Sequence, residues 1–184
     1  PGAGKGTQSK FIEKKYNLIQ LSTGDLLRNE IKNKTILGSK ISSIINSGDL
    51  VSDEIVNNLI EKYISNKKNK QRFIFDGYPR SITQAINLDK LLEKYDQQID
   101  IVLNLSVSFE TIKKRITERK SQEQRADDNE KIAIKRFKTY ELSTKPVIDY
   151  YKQSNLLKDI NGENTISEIN VEISGLIDAI KGWL

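Results

Sequence analysis

The sequence contains no cysteine, no histidine and no methionine, and each absence excludes a kind of chemistry. Without Cys there is no disulfide and no thiolate nucleophile, and without Cys or His there is no ordinary zinc site. Without His no Ser-His-Asp triad can form. Any proton transfer must therefore use carboxylates, lysine or tyrosine.

Long apolar runs are also missing, since none approaches the ~20 residues that a membrane span needs. No secretory signal pattern opens the chain. The chain begins at Pro1, inside a glycine-rich motif, and we interpret it as a fragment that lacks its true N-terminus. A targeting segment before Pro1 therefore stays an open question.

The charge is only mildly basic. Thirty Lys and Arg against twenty-five Asp and Glu give a net charge of +5 on 184 residues, a length that indicates one domain. The densest basic run, at 67–72, has no interleaved aromatic residues. We interpret it as a solvated turn and expect no nucleic-acid partner.

Helical and strand-like patterns alternate along the chain, which predicts an α/β fold with a parallel sheet. Two short helices are expected within 22–47, broken near Thr35 to Gly38, and Ser52 is expected to cap the helix that follows. A break is expected at Lys145-Pro146 within a helix over 130–151. The remaining predicted helices are 5–16, 82–95, 109–120 and 166–184, the strands are 18–21, 73–75, 99–105 and 156–160, and 121–128 is a loop.

The first motif with chemical content is PGAGKGTQ, at residues 1–8. Its glycines allow successive main-chain N–H groups to face one concavity, and the positive end of the following helix favours an anion there. Lys5 would supply a point charge for the β- and γ-phosphates. The strict P-loop pattern is not fully met, because Gly6 follows the lysine and Thr7 comes one place late. A glycine-rich turn at a helix start is the alternative.

Three further motifs carry charged side chains. STGDLLR, at 22–28, can be a plain N-cap with an acid in the first helical turn. DGYPR, at 76–80, is followed one helical turn later by Gln84. It places Asp76 at the end of a strand, where open sheets bind ligands and P-loop proteins hold Mg²⁺, although Asp-Gly before Pro can also be a turn. Arg115 and Arg119 share one helix face, which a solvated surface would also explain.

The positions of the arginines favour phosphate binding over the purely structural interpretations of these motifs. The sequence prefers Lys, yet it uses Arg at seven positions: 28, 72, 80, 115, 119, 125 and 136. All except Arg72 lie in the motifs or directly after them. Because Arg is needed where a planar fork grips phosphate oxygens at two points, the pattern predicts phosphoryl transfer between two phosphate-rich substrates.

The motifs PGAGKGTQ, STGDLLR, DGYPR with Gln84, and RADDN followed by KRF together resemble the adenylate kinases of the nucleoside-monophosphate kinase family. The resemblance covers essentially the whole chain. It implies a P-loop three-layer α/β sandwich with a parallel five-stranded sheet, whose first, central strand would precede Pro1. It also implies a monophosphate-binding subdomain at 22–51 and a short lid at 119–128, without zinc. Because the neighbouring strands would lose a partner, we expect this fragment to be weakly active or inactive.

The resemblance also implies roles for individual residues. On the ATP side these are Gly2, Ala3, Gly4, Lys5, Gly6 and Thr7 around the phosphates, Arg119 beside base and phosphates, and Asn164 near the adenine. On the AMP side they are Thr23 and Gln84 at the adenine, Arg28 and Arg80 at the phosphate, and Asp49, Leu50, Val51, Gly77, Tyr78 and Pro79 around the pocket. Arg115, Arg125 and Arg136 would close on the transferring group, with Lys5 and Arg80. Asp76 would hold Mg²⁺ through water.

The chemistry that follows needs no general base, because the nucleophile is an AMP phosphate oxygen that is already anionic. Catalysis is then alignment and charge stabilisation. We predict that Arg125→Lys lowers kcat far more than ATP affinity. The implied partners are ATP, AMP and ADP, with no membrane, and we expect a cytoplasmic monomer.

Two other functions are considered. A UMP/CMP kinase shares most of these motifs but typically has Ala in place of Thr23 and Asn in place of Gln84, so both residues favour adenine. A GTPase would usually carry Asn-Lys-x-Asp, whereas here Asn69-Lys70 is followed by Gln71-Arg72.

Overall fold

The computed structural model describes residues 1–66, 73–123 and 130–181, and within them helices and strands alternate as predicted. The strands are β1 (Ile19–Ser22), β2 (Phe73–Asp76), β3 (Val102–Ser106) and β4 (Leu157–Asn161). The helices are α1 (Lys5–Tyr16), α2 (Thr23–Lys32), α3 (Ile36–Asn46), α4 (Asp53–Ile64), α5 (Ile82–Lys94), α6 (Phe109–Glu123), α7 (Glu130–Thr139), α8 (Lys145–Gln153) and α9 (Ile166–Lys181).

The four strands form two parallel pairs. β1 pairs with β2, with Ser22 opposite Asp76, and β3 pairs with β4, with Ser106 opposite Asn161. The carboxyl ends of paired strands therefore lie side by side, at the edge where ligands bind in open parallel sheets.

A large cleft separates the two pairs. It has a volume of about 1910 Å³, and apolar side chains of β2 and β3 line it, among them Ile74, Phe75, Leu103 and Leu105. No strand among the described residues joins β2 to β3.

Two apolar cores hold the elements together. The first joins β1 to helices α2 to α5 through fully buried side chains such as Leu21, Ile41 and Leu88. The second joins α1, β4 and α9 through Ile12, Ile160 and Ile173, none more than 3% exposed, and Ile74 of β2 packs against it. Burial of such side chains is worth about 1.5–3 kcal/mol each.

The strand predicted at 99–105 is placed differently. β3 begins at Val102, whose N–H donates to the Leu156 carbonyl at 2.9 Å. Ile99 instead packs against the first core. The strand was also expected to be the most clearly buried one, but its side chains are only half-buried because several of them line the cleft.

Other predicted boundaries also shift. The break expected at Thr35 to Gly38 ends at Thr35, whose hydroxyl accepts the Gly38 N–H at 2.9 Å. Gly38 lies inside α3, where a Cβ would collide with the Glu30 main chain of α2, so it serves helix packing. Helix α6 continues to Glu123, so residues 121–123 are helical where a loop was predicted.

The break expected at Lys145-Pro146 is a change of helix type. A π-helical turn, Tyr140–Thr144, leads directly into α8. Pro146 lies in the first turn of α8, directly after the π-helical turn. Ser52 does occupy the N-cap of α4, but its side chain makes no capping hydrogen bond. Within the described ranges, no helix is long and apolar enough to cross a membrane.

Candidate active site

The glycine-rich loop leads directly into the N-terminus of α1. Gly4 is the N-cap residue, with φ 93°, and its carbonyl accepts the N–H groups of Thr7 and Gln8. No side chain caps this helix end. The helix dipole and the first-turn N–H groups therefore favour an anion beside the loop.

Cationic side chains converge on the same loop. The pKa of Lys5 is lowered to about 8, first by burial of its ammonium group and then by repulsion from Arg80, Arg136 and Arg119. Lys5 is an exposed residue by its accessible surface, while the protein atoms crowded around its ammonium group make desolvation the main cause of the lowered pKa. A concentration of positive charge of this kind favours an anionic ligand beside the loop.

Asp76 is the acid that opposes this charge, and it raises the pKa of Lys5. It ends β2, where its Oδ2 accepts the Gln20 Nε2–H at 3.0 Å. The same oxygen lies 3.6 Å from the place where a Cβ on Gly6 would stand. Asp76 is therefore adjacent to the first turn of α1.

Arg115 connects the loop to the turn after β4. Its guanidinium donates to the Ala3 carbonyl at 3.2 Å and to the Gly162 carbonyl at 2.8 Å. Asn164 lies in that turn, where its N–H donates to the Asn161 carbonyl. Arg115 thus contacts the main chain around the predicted phosphate site, and its role at the transferring group stays a prediction.

Most residues predicted for the monophosphate lie on one cleft. Its lining contains Thr23, Arg28, Asp49, Leu50, Val51, Gly77, Tyr78, Pro79, Arg80 and Gln84, together with Ala3, Lys5, Asp76 and Arg136. The structure therefore brings the predicted AMP residues to the phosphate loop. Gly2, Gly4, Gly6, Thr7, Arg115, Arg119 and Asn164 lie on the loop, on α1, on α6 and in the turn after β4, outside that lining.

Two arginine side chains that line this cleft pack closely against glycines: Arg80 against Gly77, and Arg28 against Gly24. Gly77 has φ 69°, and Arg80 donates from Nε to its carbonyl at 2.6 Å. A Cβ on Gly77 would approach Arg80 Nη2 to 2.8 Å. Arg28 crosses Gly24 in a similar way and pairs with Asp25 at 2.6 Å. The glycines leave room for both guanidinium groups.

The predicted base-reading residues are buried and connected. The Thr23 hydroxyl donates to the Gly77 carbonyl at 2.9 Å. Gln84 accepts the Arg80 N–H at Oε1 and donates from Nε2 to Asp53, both at 2.7 Å. Tyr78 donates to Asn57, and burial raises the pKa of Tyr78 to about 12. The phenol is neutral and forms part of the pocket wall.

Helix α7 contacts Gly48 and Asp49, which precede α4. Lys135 pairs with Asp49 at 2.6 Å, and hydrogen bonds from Lys135 and Ser47 lower the Asp49 pKa. The side-chain stem of Arg136 lies over Gly48, 3.2 Å from where a Cβ would stand. Arg136 therefore reaches both the loop and the monophosphate cleft.

Part of the prediction concerns residues outside the described ranges. Arg125 lies there, as do residues 124–128 of the predicted lid at 119–128 and the basic run at 67–72. Sequence reasoning also missed Asp53 as a contact of Gln84. The Ser81-x-x-Gln84 spacing signals only the start of α5, where the Ser81 hydroxyl accepts the Gln84 N–H at 3.1 Å; nothing in the sequence signals the contact with Asp53.

A loop suited to one phosphate chain and a second, arginine-lined pocket share this cleft, which suits transfer of a phosphoryl group between two nucleotides. The fold and site thus define a P-loop nucleoside-monophosphate kinase. A family model described as adenylate kinase matches residues 1–156. The adenylate kinase of Pelagibacter ubique is 42% identical over 203 aligned residues, which cover 96% of this chain and 95% of that protein.

Two further relatives agree. The adenylate kinase of Fusobacterium nucleatum is 40% identical, covering 94% of this chain and 92% of its own. That of Prochlorococcus marinus is 43% identical, covering 92% and 90%. The chain belongs to the adenylate kinase family. The predictions of this family, of the α/β P-loop kinase fold and of a nucleoside-monophosphate kinase are confirmed.

Proposed function

We propose that this chain transfers the γ-phosphoryl group of Mg·ATP to AMP, reversibly, and so produces two ADP. The observation that carries the proposal is the cation cluster at the phosphate loop. Burial and three arginines lower the pKa of Lys5 to about 8, and Asp76 acts in the opposite direction. Positive charge concentrated beside a phosphate loop suits a polyanionic ligand.

On the ATP side, the loop from Gly2 to Thr7 wraps the phosphates, and Lys5 binds the β- and γ-groups. Arg119 lies on α6 close enough to lower the pKa of Lys5, which supports its place beside ATP. Asn164 belongs to the turn that Arg115 joins to the loop, which supports an ATP base in that region.

On the AMP side, Arg28 and Arg80 bind the phosphate, and Thr23 and Gln84 read the adenine. The backbone from Asp49 to Val51 and from Gly77 to Pro79 lines the pocket. The cleft that contains all of them supports this assignment. Residues 22–51, spanning α2 and α3, are proposed as the monophosphate-binding subdomain, and 119–128 as a short lid that carries Arg125.

In the transfer itself, an AMP phosphate oxygen attacks the γ-phosphorus of ATP. The bond to the β,γ-bridging oxygen breaks, and ADP leaves with its electron pair. No proton has to move, so no general base is required. Lys5, Arg80, Arg115, Arg125 and Arg136 stabilise the charge that develops, which is the main catalytic contribution in this chemistry.

Mg²⁺ is the proposed metal. A group of three or more acidic side chains is not found among the described residues, but Mg²⁺ commonly binds one carboxylate, several waters and the substrate phosphates. Asp76 fits that mode, because its carboxylate lies at the end of β2 beside the first turn of α1. The ion would supply charge neutralisation on the phosphates. We also propose a cytoplasmic monomer.

The deciding experiment offers Mg·ATP with AMP, CMP, UMP or GMP and measures nucleoside diphosphate. We expect whatever transfer the chain catalyses to depend on AMP, with little product from CMP or UMP. Preference for CMP or UMP would overturn the assignment of Thr23 and Gln84 to adenine. Binding of diadenosine pentaphosphate provides a second readout, because failure to bind it would contradict a site for both nucleotides.

A further inference from the structure

We propose that Asp53 is a positioning residue that holds the Gln84 amide in one orientation and thereby lets the pocket distinguish adenine from hypoxanthine. The inference rests on the proposed AMP site. It concerns a residue that contacts no part of the phosphate machinery. It also makes a prediction about base selectivity that the cation cluster does not make.

The first step is the orientation of the amide. Gln84 lines the cleft and its side chain is only 2% exposed. Its Oε1 accepts the Arg80 main-chain N–H, and its Nε2 donates to Asp53 Oδ1, each at 2.7 Å. A main-chain N–H can only donate and a carboxylate can only accept. A flipped amide would oppose like groups at both ends, so one orientation is selected.

The second step is the support of Asp53 itself. Asp53 is the first residue of α4 and lies two positions after Val51, the last residue of segment 49–51 that lines the cleft. Its Oδ2 accepts the Ser81 hydroxyl at 3.2 Å, and Ser81 also caps α5 by accepting the Gln84 N–H. The carboxylate is therefore held from two sides, and it ties the start of α4 to the start of α5.

The third step is the chemistry left for a base. After these contacts, Gln84 retains one N–H and one oxygen lone pair. Adenine presents an acceptor at N1 and a donor at N6, which complement that pair. Hypoxanthine presents the inverse, a donor at N1 and an acceptor at O6. An amide fixed by both Arg80 and Asp53 therefore suits adenine. Without Asp53 only the Arg80 N–H opposes a flipped amide, so the preference for adenine over hypoxanthine is weaker.

The test measures binding of AMP and of IMP by calorimetry to the full chain and its variants. We expect Asp53→Ala to lower the AMP-over-IMP preference about tenfold, the usual scale for a hydrogen bond to a charged group. ATP affinity stays unchanged. Asp53→Asn retains an oxygen that can accept the Gln84 N–H, so we expect it to retain most of the preference.

Glu54→Ala is the matched control. Glu54 is the other acid in the first turn of α4, and its side chain is exposed. We expect it to leave the preference unchanged. Equal losses in Asp53→Ala and Glu54→Ala would indicate a general charge effect and overturn the inference. Asp53→Ser, too short to reach Gln84, is used if the Ala variant does not fold.

The two proposals fail in different ways. If the unmodified chain binds no AMP, the proposed function fails and the inference falls with it. If the chain binds AMP but a folded Asp53→Ala or Asp53→Ser variant keeps the full preference for AMP over IMP, only the role of Asp53 is overturned.

Discussion

The pKa of Lys5 at the phosphate loop and the pKa values of two surface lysines, Lys94 and Lys145, are shifted in opposite directions. At the phosphate loop, burial and neighbouring arginines lower the pKa of Lys5 to about 8. On the outer surface, Lys94 pairs with Glu61 at 2.8 Å and Lys145 pairs with Glu141 at 3.1 Å. In both pairs the carboxylate raises the lysine pKa.

The difference shows at which of these lysines the negative charge of a bound phosphate can have an effect. A surface lysine is compensated within the chain and by solvent, so it contributes little that a ligand could change. At Lys5, burial is the largest cause of the lowered pKa; Asp76 raises the pKa, and Arg80, Arg136 and Arg119 lower it further. The bound phosphates complete the balance, and the energy of that step is available for binding and catalysis.

The largest effect is expected for Lys5→Met. This variant keeps much of the side-chain length but removes the charge, so kcat should fall by about 10³-fold or more. The free protein should not be destabilised, because a desolvated, repelled cation is lost. ADP formation and a denaturant titration check both parts. A Lys5→Met variant that keeps its activity would show that the charge of Lys5 matters no more for catalysis than that of a surface lysine.

Arg80→Lys comes next. The substitution keeps the charge but loses the planar fork, so turnover and AMP affinity together should fall about 100-fold. Steady-state kinetics with varied AMP separate this from an effect on ATP. If Lys serves as well as Arg, the Arg usage noted in the sequence has another cause.

Gly77→Ala tests the room left for Arg80. The residue has φ 69°, and a Cβ would meet Arg80 Nη2 at 2.8 Å. We expect a loss of about 1–3 kcal/mol in the free energy of unfolding, together with weaker AMP binding. The control is Gly175→Ala, where a Cβ meets nothing within 4 Å in α9. There a helix-interior Gly→Ala change should stabilise the protein by about 0.4–1 kcal/mol. Equal changes in stability and AMP binding for the two variants would contradict the claim that Gly77 leaves room for Arg80.

The pH dependence of ATP binding sharpens the comparison. With a pKa of about 8, Lys5 is half neutral at that pH, and bound phosphates restore its proton. Binding at pH 8 should therefore take up about half a proton more in the unmodified chain than in Lys5→Met. Calorimetry in buffers of different ionisation enthalpy measures this difference. The lowered pKa also means that the contribution of Lys5 to stability rises as pH increases from about 8 towards 10.5.

The smallest effect is expected for Lys94→Ala. It breaks an exposed pair with Glu61, so the midpoint of thermal unfolding should move by less than about 2 °C, with activity unchanged. A clear loss of activity would mean that the outer surface is coupled to the site.

Much of the fold could be predicted because its signals are local. Helix α1 begins and ends where its pattern predicts, and β2 differs from its prediction by one residue. The errors arose where a distant partner decides. β3 begins at Val102 because the Leu156 carbonyl is its first partner. Gly38 lies within α3 as a packing residue, because a Cβ there would collide with the Glu30 main chain.

The candidate site divides in the same way. Its residue types were visible in four motifs, because phosphate recognition needs glycine, lysine and arginine in short local patterns. The Asp53 contact to Gln84 was not visible, since the two residues are 31 positions apart and meet only when α4 packs beside α5. The contact of Arg115 with Gly162 spans 47 positions and was missed for the same reason.

The sequence by itself determined the family, the alternation of helix and strand, and the set of arginines, because these depend on residue identity and local order. Only the tertiary structure decided that the predicted monophosphate residues share one cleft with the phosphate loop. It also decided that Lys5 has a lowered pKa and that Gln84 has a selected orientation. Desolvation, charge repulsion and hydrogen-bond direction depend on distances in space, which are set only when the elements pack together.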